Sequence, residues 1–205
     1  ETKDAHPDGM LIGSIMESYE KGRWQELAAR CEAAGCDALE LNFSCPHGHP
    51  EKGMGAAMGQ DPKRVEEVTR WVVDAVNIPV WSKMTPNITD ITQPALAAQR
   101  GGASGVSAIN TILACIGINL KTLRPQPTVE GHSTFGGYSY LAVKPIALRM
   151  VAEIAQAAPN LTISGIGGVC TANDAIEHML VGARTVQSCT GPMLQGFGMV
   201  SELIE

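Results

Sequence analysis

Apolar runs of strand type alternate with helical patterns about six times along this 205-residue chain, and no other feature restricts its fold as much. The clearest strand is residues 38–43, an apolar run that Pro46 and Gly48 then end. Three of the helical patterns close on glycine just before the next strand, at Gly35, Gly101–Gly102 and Gly182. Two helix starts are predicted from capping residues, one at Asp61 before Pro62 and one at a capping box of Thr171 and Asp174. Such regular alternation, with right-handed crossovers, predicts a parallel sheet.

Two α/β architectures fit this pattern, a doubly wound open sheet and a (β/α)8 TIM barrel. Small or polar residues follow nearly every predicted strand, whereas a doubly wound sheet gathers its ligands mainly at one switch point. We therefore favour the barrel. A complete barrel typically needs ~250 residues, and this chain supplies about six units. We expect one domain over residues 1–205, a TIM barrel lacking about the first two βα units.

Composition argues against several classes of protein. The formal net charge is −6 and the 15 basic residues form no stripe with aromatic residues, so we expect no nucleic-acid partner. No apolar run is long enough to span a bilayer, and the polar start of the chain does not resemble a signal peptide. The six cysteines include no CxxC pair, so we expect no metal site in this segment and a cytoplasmic location.

Two glycine-rich turns follow the last two predicted strands, at residues 165–168 and 188–191. In a barrel these two loops lie side by side and can bind phosphate through backbone N–H groups, because glycine lets the backbone approach the anion closely. Glycine-rich turns are also common without a ligand. The pair predicts a ligand with a phosphate group, and plain turns are the alternative.

Other strand ends carry groups that suit a planar, hydrogen-bonding ligand. Lys83 would place a positive charge at the barrel mouth, although a lysine at a strand end can also extend into solvent. The amides of Asn42 and Asn110 offer a donor and an acceptor, or they cap local turns. Cys45 lies beside His47 in the exit loop and can act as a proton donor, or it is a buried inert thiol.

Six motifs in this order resemble the dihydropyrimidine dehydrogenase family, in particular its FMN-binding barrel domain, within the wider dihydroorotate dehydrogenase-like superfamily. The resemblance covers nearly the whole chain from about Met10, and the Ile-Asn-Thr and Gly-Ile-Gly-Gly forms are more similar to the bacterial catalytic subunit than to the animal enzyme. The motifs are Asn42-Phe43-Ser44-Cys45-Pro46-His47-Gly48, Gly59-Gln60-Asp61-Pro62, Lys83-Met84-Thr85-Pro86-Asn87, Ile109-Asn110-Thr111, Lys144-Pro145-Ile146-Ala147-Leu148-Arg149 and Gly165-Ile166-Gly167-Gly168.

The resemblance implies reduction of the 5,6-double bond of uracil or thymine, with FMN as hydride donor to C6 and Cys45 as the general acid at C5. A thiol is largely protonated near neutral pH, which suits that role. The residues implied to hold the pyrimidine are Asn42, Ser44, Asn110 and Thr111. Those implied to bind FMN are Lys83 at the ring and Ile166, Gly167, Gly168, Cys189 and Thr190 around the phosphate.

The resemblance also implies further cofactors and partners. NADH or NADPH would supply electrons through an electron-transfer domain or subunit that carries FAD and iron–sulfur clusters outside this segment, and an oligomer is expected. Residues 112–140 show no regular pattern, so we expect a long loop there, and the resemblance implies that this loop forms a lid. One departure stands out, since Tyr140 replaces a usual glycine near the cofactor. Dihydroorotate oxidation on the same scaffold and a non-catalytic phosphate-binding barrel are the alternatives.

Overall fold

A computed structural model describes residues 1–45, 53–133 and 135–204. The predicted loop residues Pro46, His47 and Gly48 lie outside this part of the chain. The strands of the described part are β1 (Ile12–Ile15), β2 (Ala38–Asn42), β3 (Val80–Lys83), β4 (Gly105–Ala108), β5 (Ile112–Ala114), β6 (Gly117–Asn119), β7 (Arg124–Gln126), β8 (Thr128–Val129), β9 (His132–Ser133), β10 (Gly136–Tyr138), β11 (Thr162–Ile166) and β12 (Thr185–Gln187).

Helices follow most of the long strands, and a 3-10 turn over Leu141–Val143 leads into the sixth helix. The helices of the described part are α1 (Thr2–Ala5), α2 (Lys21–Ala33), α3 (Ala56–Gly59), α4 (Pro62–Val73), α5 (Thr92–Arg100), α6 (Lys144–Ala157), α7 (Ala172–Leu180), α8 (Thr190–Gln195) and α9 (Met199–Ile204).

Six strands form one parallel sheet in the order β1-β2-β3-β4-β11-β12, which follows the order of the chain. A doubly wound sheet reverses its strand order at the switch point, so this topology supports the barrel prediction. The sheet curls into a half-barrel with helices outside it. Asn42 pairs with Lys83 in the register of β2 and β3, so the polar ends of these two strands meet.

The two faces of the sheet differ because successive side chains of a strand point to opposite sides. On β2, Leu39 and Leu41 are fully buried in the core between sheet and helices. There Trp24 of α2 contacts Phe43, with ring centroids 5.9 Å apart. Glu40 and Asn42 occupy the opposite face of the same strand. At β2 the outer layer is thus apolar, and the inner face carries polar side chains.

Two predicted helix starts are confirmed by their caps. The Asp61 carboxylate accepts hydrogen bonds from the backbone N–H groups of Lys63 and Arg64 at the start of α4, at 3.0 and 3.4 Å. Thr171 and Asp174 form the predicted capping box at the start of α7. Each cap satisfies backbone donors that have no partner within the helix.

The expectation that residues 112–140 lack regular structure was wrong. This excursion contains three antiparallel two-stranded ribbons, β5 with β10, β6 with β7 and β8 with β9. Each strand is only two or three residues long. The alternation that reveals a strand needs four or more residues, so such short ribbons leave no readable pattern.

We predict that Leu41→Ala lowers the free energy of unfolding by about 2–5 kcal/mol, because it removes a fully buried side chain from the core. Leu180→Ala is the matched control, since Leu180 at the end of α7 is 81% exposed and its loss should stay within about 0.5 kcal/mol. Urea denaturation of both variants measures the difference. Equal losses of unfolding free energy in the two variants would contradict the assignment of Leu41 to the core.

Candidate active site

A cavity of about 340 Å³ opens at the carboxyl ends of β3, β4, β11 and β12, and its volume is typical of small-molecule sites. It brings together eight of the eleven site residues predicted from the sequence. These are Lys83, Asn110, Thr111, Ile166, Gly167, Gly168, Cys189 and Thr190. The lining also includes Ser139 and Gln187, which were not predicted for the site, and Tyr140, which the sequence marked as a departure from a usual glycine.

Asn42 and Ser44 do not line the cavity but are connected to it by hydrogen bonds. The Ser44 hydroxyl donates to the side-chain carbonyl of Asn42 at 2.9 Å and accepts from the Asn110 amide at 2.7 Å. The side-chain carbonyl oxygen of Asn110 in turn accepts a hydrogen bond from the backbone N–H of Thr111 at 2.8 Å. This chain orients both amides, so the four predicted pyrimidine-binding residues form one connected group.

Cys45 directly follows that group and is half-buried. Its carbonyl oxygen accepts the backbone N–H of Ala56 at 3.0 Å. Gly55, whose φ is +61°, passes so close that a Cβ there would overlap the Cys45 carbonyl. The segment that leads into α3 therefore holds the backbone of Cys45. Cys45 lies three residues after Asn42, which pairs with Lys83 in the sheet.

Lys83 belongs to a polar network on the inner face of the half-barrel. Its ammonium donates to Glu40 Oε1 at 3.2 Å and to the side-chain carbonyl of Gln187 at 3.1 Å. The other Glu40 oxygen accepts the Ser107 hydroxyl at 2.6 Å and the Gln187 amide at 2.9 Å. One carboxylate thus links side chains from β2, β3, β4 and β12.

Burial and charge act in opposite directions on Glu40. Burial by itself would raise the pKa of this carboxyl. The nearby charge of Lys83, with hydrogen bonds from Ser107, Gln187 and Lys83, outweighs that effect and holds the pKa below its usual value. Glu40 is therefore ionised at neutral pH, and the Lys83 ammonium has a fixed counter-ion at the cavity wall.

The glycine turn after β11 adopts backbone conformations that other residues rarely take. Gly167 has φ +128° and Gly168 has φ +75°. A Cβ on Gly168 would lie 2.6 Å from Cβ of Lys144, and one on Gly167 would lie 2.8 Å from Cβ of Ala147. Only glycine fits here, so the backbone itself forms this wall of the cavity.

Helix α7 supports the glycine turn from behind. The fully buried His178 ring lies against the strand at Gly165, and its Nε2 is 3.1 Å from the carbonyl oxygen of Gly167. Burial lowers the pKa of His178, so the ring is neutral at physiological pH. A neutral ring with its proton on Nε2 donates to Gly167 and fixes the direction of that carbonyl.

Asp174 fastens the loop between the glycine turn and α7. Its carboxylate accepts the backbone N–H groups of Cys170 and Thr171 at 3.0 and 2.8 Å, and the Lys144 ammonium at 2.7 Å. Burial would raise the pKa of Asp174, but the hydrogen bonds from Lys144, Thr171 and Cys170 lower it overall. The ion pair joins the start of α6 to α7.

The excursion over residues 112–140 returns to the barrel at the cavity rim. The hydroxyls of Ser139 and Thr190 are 3.0 Å apart, and the Gln195 amide donates to the Tyr140 hydroxyl at 3.1 Å. Tyr140 has φ +74° and ψ −158°, a region populated essentially by glycine. This backbone conformation explains why glycine suits the position, and the tyrosine ring adds bulk to the rim.

Sequence analysis missed Glu40, Ser107 and Gln187, although one signal pointed to the first. A carboxylate between two leucines in a buried strand needs a partner, because an unpaired buried charge is costly. Its partners come from positions 43, 67 and 147 residues away, so no local spacing reveals them.

No cluster of three or more potential metal ligands occurs in residues 1–45, 53–133 and 135–204. Across the same ranges, none of the helices is both long and apolar enough to cross a bilayer.

We predict that Gly168→Ala lowers the free energy of unfolding by about 1–3 kcal/mol, because a Cβ clashes with Lys144 and the positive φ strains alanine. Gly22→Ala in α2 is the control. It has no atom within 4 Å of the new Cβ, and it should gain about 0.4–1 kcal/mol from a more restricted unfolded chain. A gain of stability in Gly168→Ala would contradict the described turn.

We predict that Asp174→Asn lowers the free energy of unfolding by about 1.5–3 kcal/mol at neutral pH, the range for hydrogen bonds to a charged group. The folded pKa of Asp174 is depressed, so its contribution is complete above the unfolded pKa of about 3.9 and is lost as the pH falls through the folded value.

The difference between wild type and Asp174→Asn should therefore shrink in acid. Denaturant titrations at a series of pH values measure it, with Asp8→Asn at an exposed position as the control. A difference that does not change with pH would exclude the charged hydrogen bonds as its source.

Comparison with known proteins shows which family the chain belongs to. Residues 10–205 match the family model described as dihydroorotate dehydrogenase. The chain is 54% identical to the chloroplastic dihydropyrimidine dehydrogenase (NADP(+)) of Arabidopsis thaliana, over 98% of this chain and 48% of that protein. It is 45% identical to the NAD-dependent dihydropyrimidine dehydrogenase subunit PreA of Escherichia coli K12, over 98% of this chain and 49% of that protein.

Two further matches extend the comparison. The catalytic subunit of dihydroorotate dehydrogenase B (NAD(+)) from Pyrococcus horikoshii is 47% identical over 82% of this chain and 52% of its own length. A crystal structure of ligand-free DHODH from Eimeria tenella superposes with a TM-score of 0.69 at 19% identity, covering 89% of this chain and 53% of that one, which shows the fold. The chain spans about half the length of these relatives. It belongs to the dihydroorotate dehydrogenase family.

Proposed function

We propose that this chain is the FMN-binding part of a dihydropyrimidine dehydrogenase, which reduces the 5,6-double bond of uracil or thymine with electrons from NADH or NADPH. The observation that carries the proposal is the cavity, because it joins a largely buried ammonium, an oriented amide and a glycine turn at one end of the sheet. Two relatives named as dihydropyrimidine dehydrogenases support the choice of substrate.

The residues around the cavity fit FMN. The Gly167–Gly168 turn presents backbone where a Cβ would collide with Ala147 or Lys144, as an anion-binding turn requires. The hydroxyls of Ser139 and Thr190 lie on the same rim, and Lys83 faces the cavity from β3. We assign the phosphate to the glycine turn with Cys189 and Thr190, and the flavin ring to the side of Lys83. Bound FMN supplies the hydride that is added to C6.

The chain itself supplies the proton and the orientation of the substrate. Cys45 would donate its thiol proton to C5 of the pyrimidine. The Asn42 and Asn110 amides, fixed by Ser44 and by the Thr111 backbone, would hold the polar edge of the ring. An amide offers both a donor and an acceptor, which matches the alternating N–H and C=O groups of uracil. Oriented amides need no rearrangement during the reaction.

We expect the remaining parts of the reaction to lie outside this segment. We expect an electron-transfer domain or subunit with FAD and iron–sulfur clusters that passes electrons from the nicotinamide cofactor, and an oligomeric enzyme. One relative is named as a subunit, which supports such an arrangement. We propose a cytoplasmic location, although another relative is named as chloroplastic.

A second candidate is the oxidation of dihydroorotate on the same scaffold. The 47% identity to a dihydroorotate dehydrogenase B catalytic subunit favours it. Orotate carries a carboxylate that uracil lacks, so the two functions differ in the need for an additional cation. Among the described residues that line the cavity, Lys83 is the lysine, and its charge is already paired with Glu40. It is therefore less suited to bind a substrate carboxylate, which favours the uncharged pyrimidine.

We predict that Cys45→Ala reduces uracil turnover by about 100-fold or more, the usual contribution of a positioned general acid, while the flavin absorbance of the holoenzyme is retained. Cys115→Ala is the matched control, since Cys115 is exposed on the excursion. Steady-state oxidation of NADH or NADPH, with uracil and with orotate as alternative acceptors, measures the effect.

Three results would contradict the proposal in different ways. Full turnover in Cys45→Ala would remove the proposed acid. Turnover with orotate or dihydroorotate but not with uracil would favour the second candidate. A purified enzyme without flavin absorbance would indicate a non-catalytic barrel.

A further inference from the structure

We propose that Glu40 is a positioning residue that holds Lys83 against the cavity wall and lowers the reduction potential of the bound flavin by partly cancelling the lysine charge. This inference rests on the proposed function, because it assumes FMN in the cavity. It concerns a carboxylate that sequence analysis did not assign to the site and that would act through Lys83.

The Lys83 ammonium donates two hydrogen bonds within the protein. An ammonium has three N–H donors. Two of them are taken by Glu40 Oε1 and by the Gln187 carbonyl, at 3.2 and 3.1 Å. Lys83 also lines the cavity, so the third donor is available to a ligand there. The two fixed bonds restrict the side chain, which otherwise has several rotatable bonds.

Hydrogen bonds to both of its oxygens fix the Glu40 carboxylate. Its second oxygen accepts the Ser107 hydroxyl at 2.6 Å and the Gln187 amide at 2.9 Å. The Gln187 amide also donates to Ser107 at 3.0 Å, so its carbonyl end must face Lys83. Both charged side chains are only 12% exposed. These contacts fix the position of the Glu40 carboxylate, and the carboxylate in turn fixes the position of the Lys83 ammonium.

The charges of Lys83 and Glu40 would act on the reduction potential of the flavin. The oxidised flavin ring is neutral, and two-electron reduction with uptake of one proton leaves it with one negative charge. A cation at the cavity wall favours the charged form, and an anion opposes it. The Glu40–Lys83 pair has no net charge. The pair keeps the donor in place without the large increase in potential that an uncompensated ammonium would cause.

The test is the midpoint potential of the flavin in the purified holoenzyme, measured by anaerobic spectroscopic titration against a reference dye. Glu40→Gln keeps the shape of the side chain and removes its charge, so the midpoint should shift to a more positive value. Lys83→Met removes the cation beside Glu40, so the midpoint should shift to a more negative value. Glu66→Gln is the matched control, because Glu66 pairs with Arg70 and Arg100 at the surface of α4 and should leave the midpoint unchanged.

A purely structural role for Glu40 would loosen the flavin without shifts of opposite sign in the two variants. An unchanged or more negative midpoint in Glu40→Gln would overturn the inference. Should that variant lose its flavin, Gln187→Glu decides, since it adds a second carboxylate beside Lys83 and should make the midpoint more negative. A midpoint that stays or rises in Gln187→Glu would then overturn the inference.

The wild-type holoenzyme separates this inference from the proposed function. Uracil reduction by a flavin-containing wild type, together with an unshifted Glu40→Gln, would refute only the role of Glu40. A wild type that contains no flavin would refute both.

Discussion

One largely buried carboxylate determines how the inner face of this half-barrel is assembled. Glu40 is the acidic member of a network that also takes side chains from β3, β4 and β12. A buried ion without partners is strongly unfavourable. A shift of any of these strands by one residue would move its polar side chain to the outer face and leave Glu40 partly unpaired. The network thus selects one register for the sheet, and the same register aligns the strand ends that form the cavity.

The cavity combines two kinds of wall with different physical origins. One wall is backbone, where the positive φ of Gly167 and Gly168 and the short distances to α6 exclude any side chain. The other wall consists of oriented side chains, with Lys83 held by Glu40 and Asn110 held through Ser44. Both walls are fixed by contacts within the chain itself, and such preorganisation limits the entropy lost on binding.

Much of this arrangement was predictable from the sequence because the relevant signals are local. Alternating patterns showed the parallel strands, and Asp61 and Thr171 marked helix starts that the structure confirms. Polar residues at strand ends pointed to Lys83 and Asn110, because equivalent ends of parallel strands must meet. The resemblance to a known family then assigned roles to them.

The parts that escaped prediction depend on contacts between distant positions. Glu40 and Gln187 are 147 residues apart, and no spacing rule connects them. The ribbons of the excursion are too short to show alternation. Tyr140 stood out as a departure from a glycine, and the structure adds the physical reason, a backbone φ of +74° that glycine tolerates best.

The proposed function requires that the strand ends of this sheet form one FMN-binding mouth. A crystal structure of the holoenzyme tests it most directly. We expect electron density for the FMN phosphate against the backbone of Gly167 and Gly168, and for the ring within hydrogen-bond distance of the Lys83 ammonium. Density for the flavin at another face of the protein, or a phosphate remote from the glycine turn, would contradict the account.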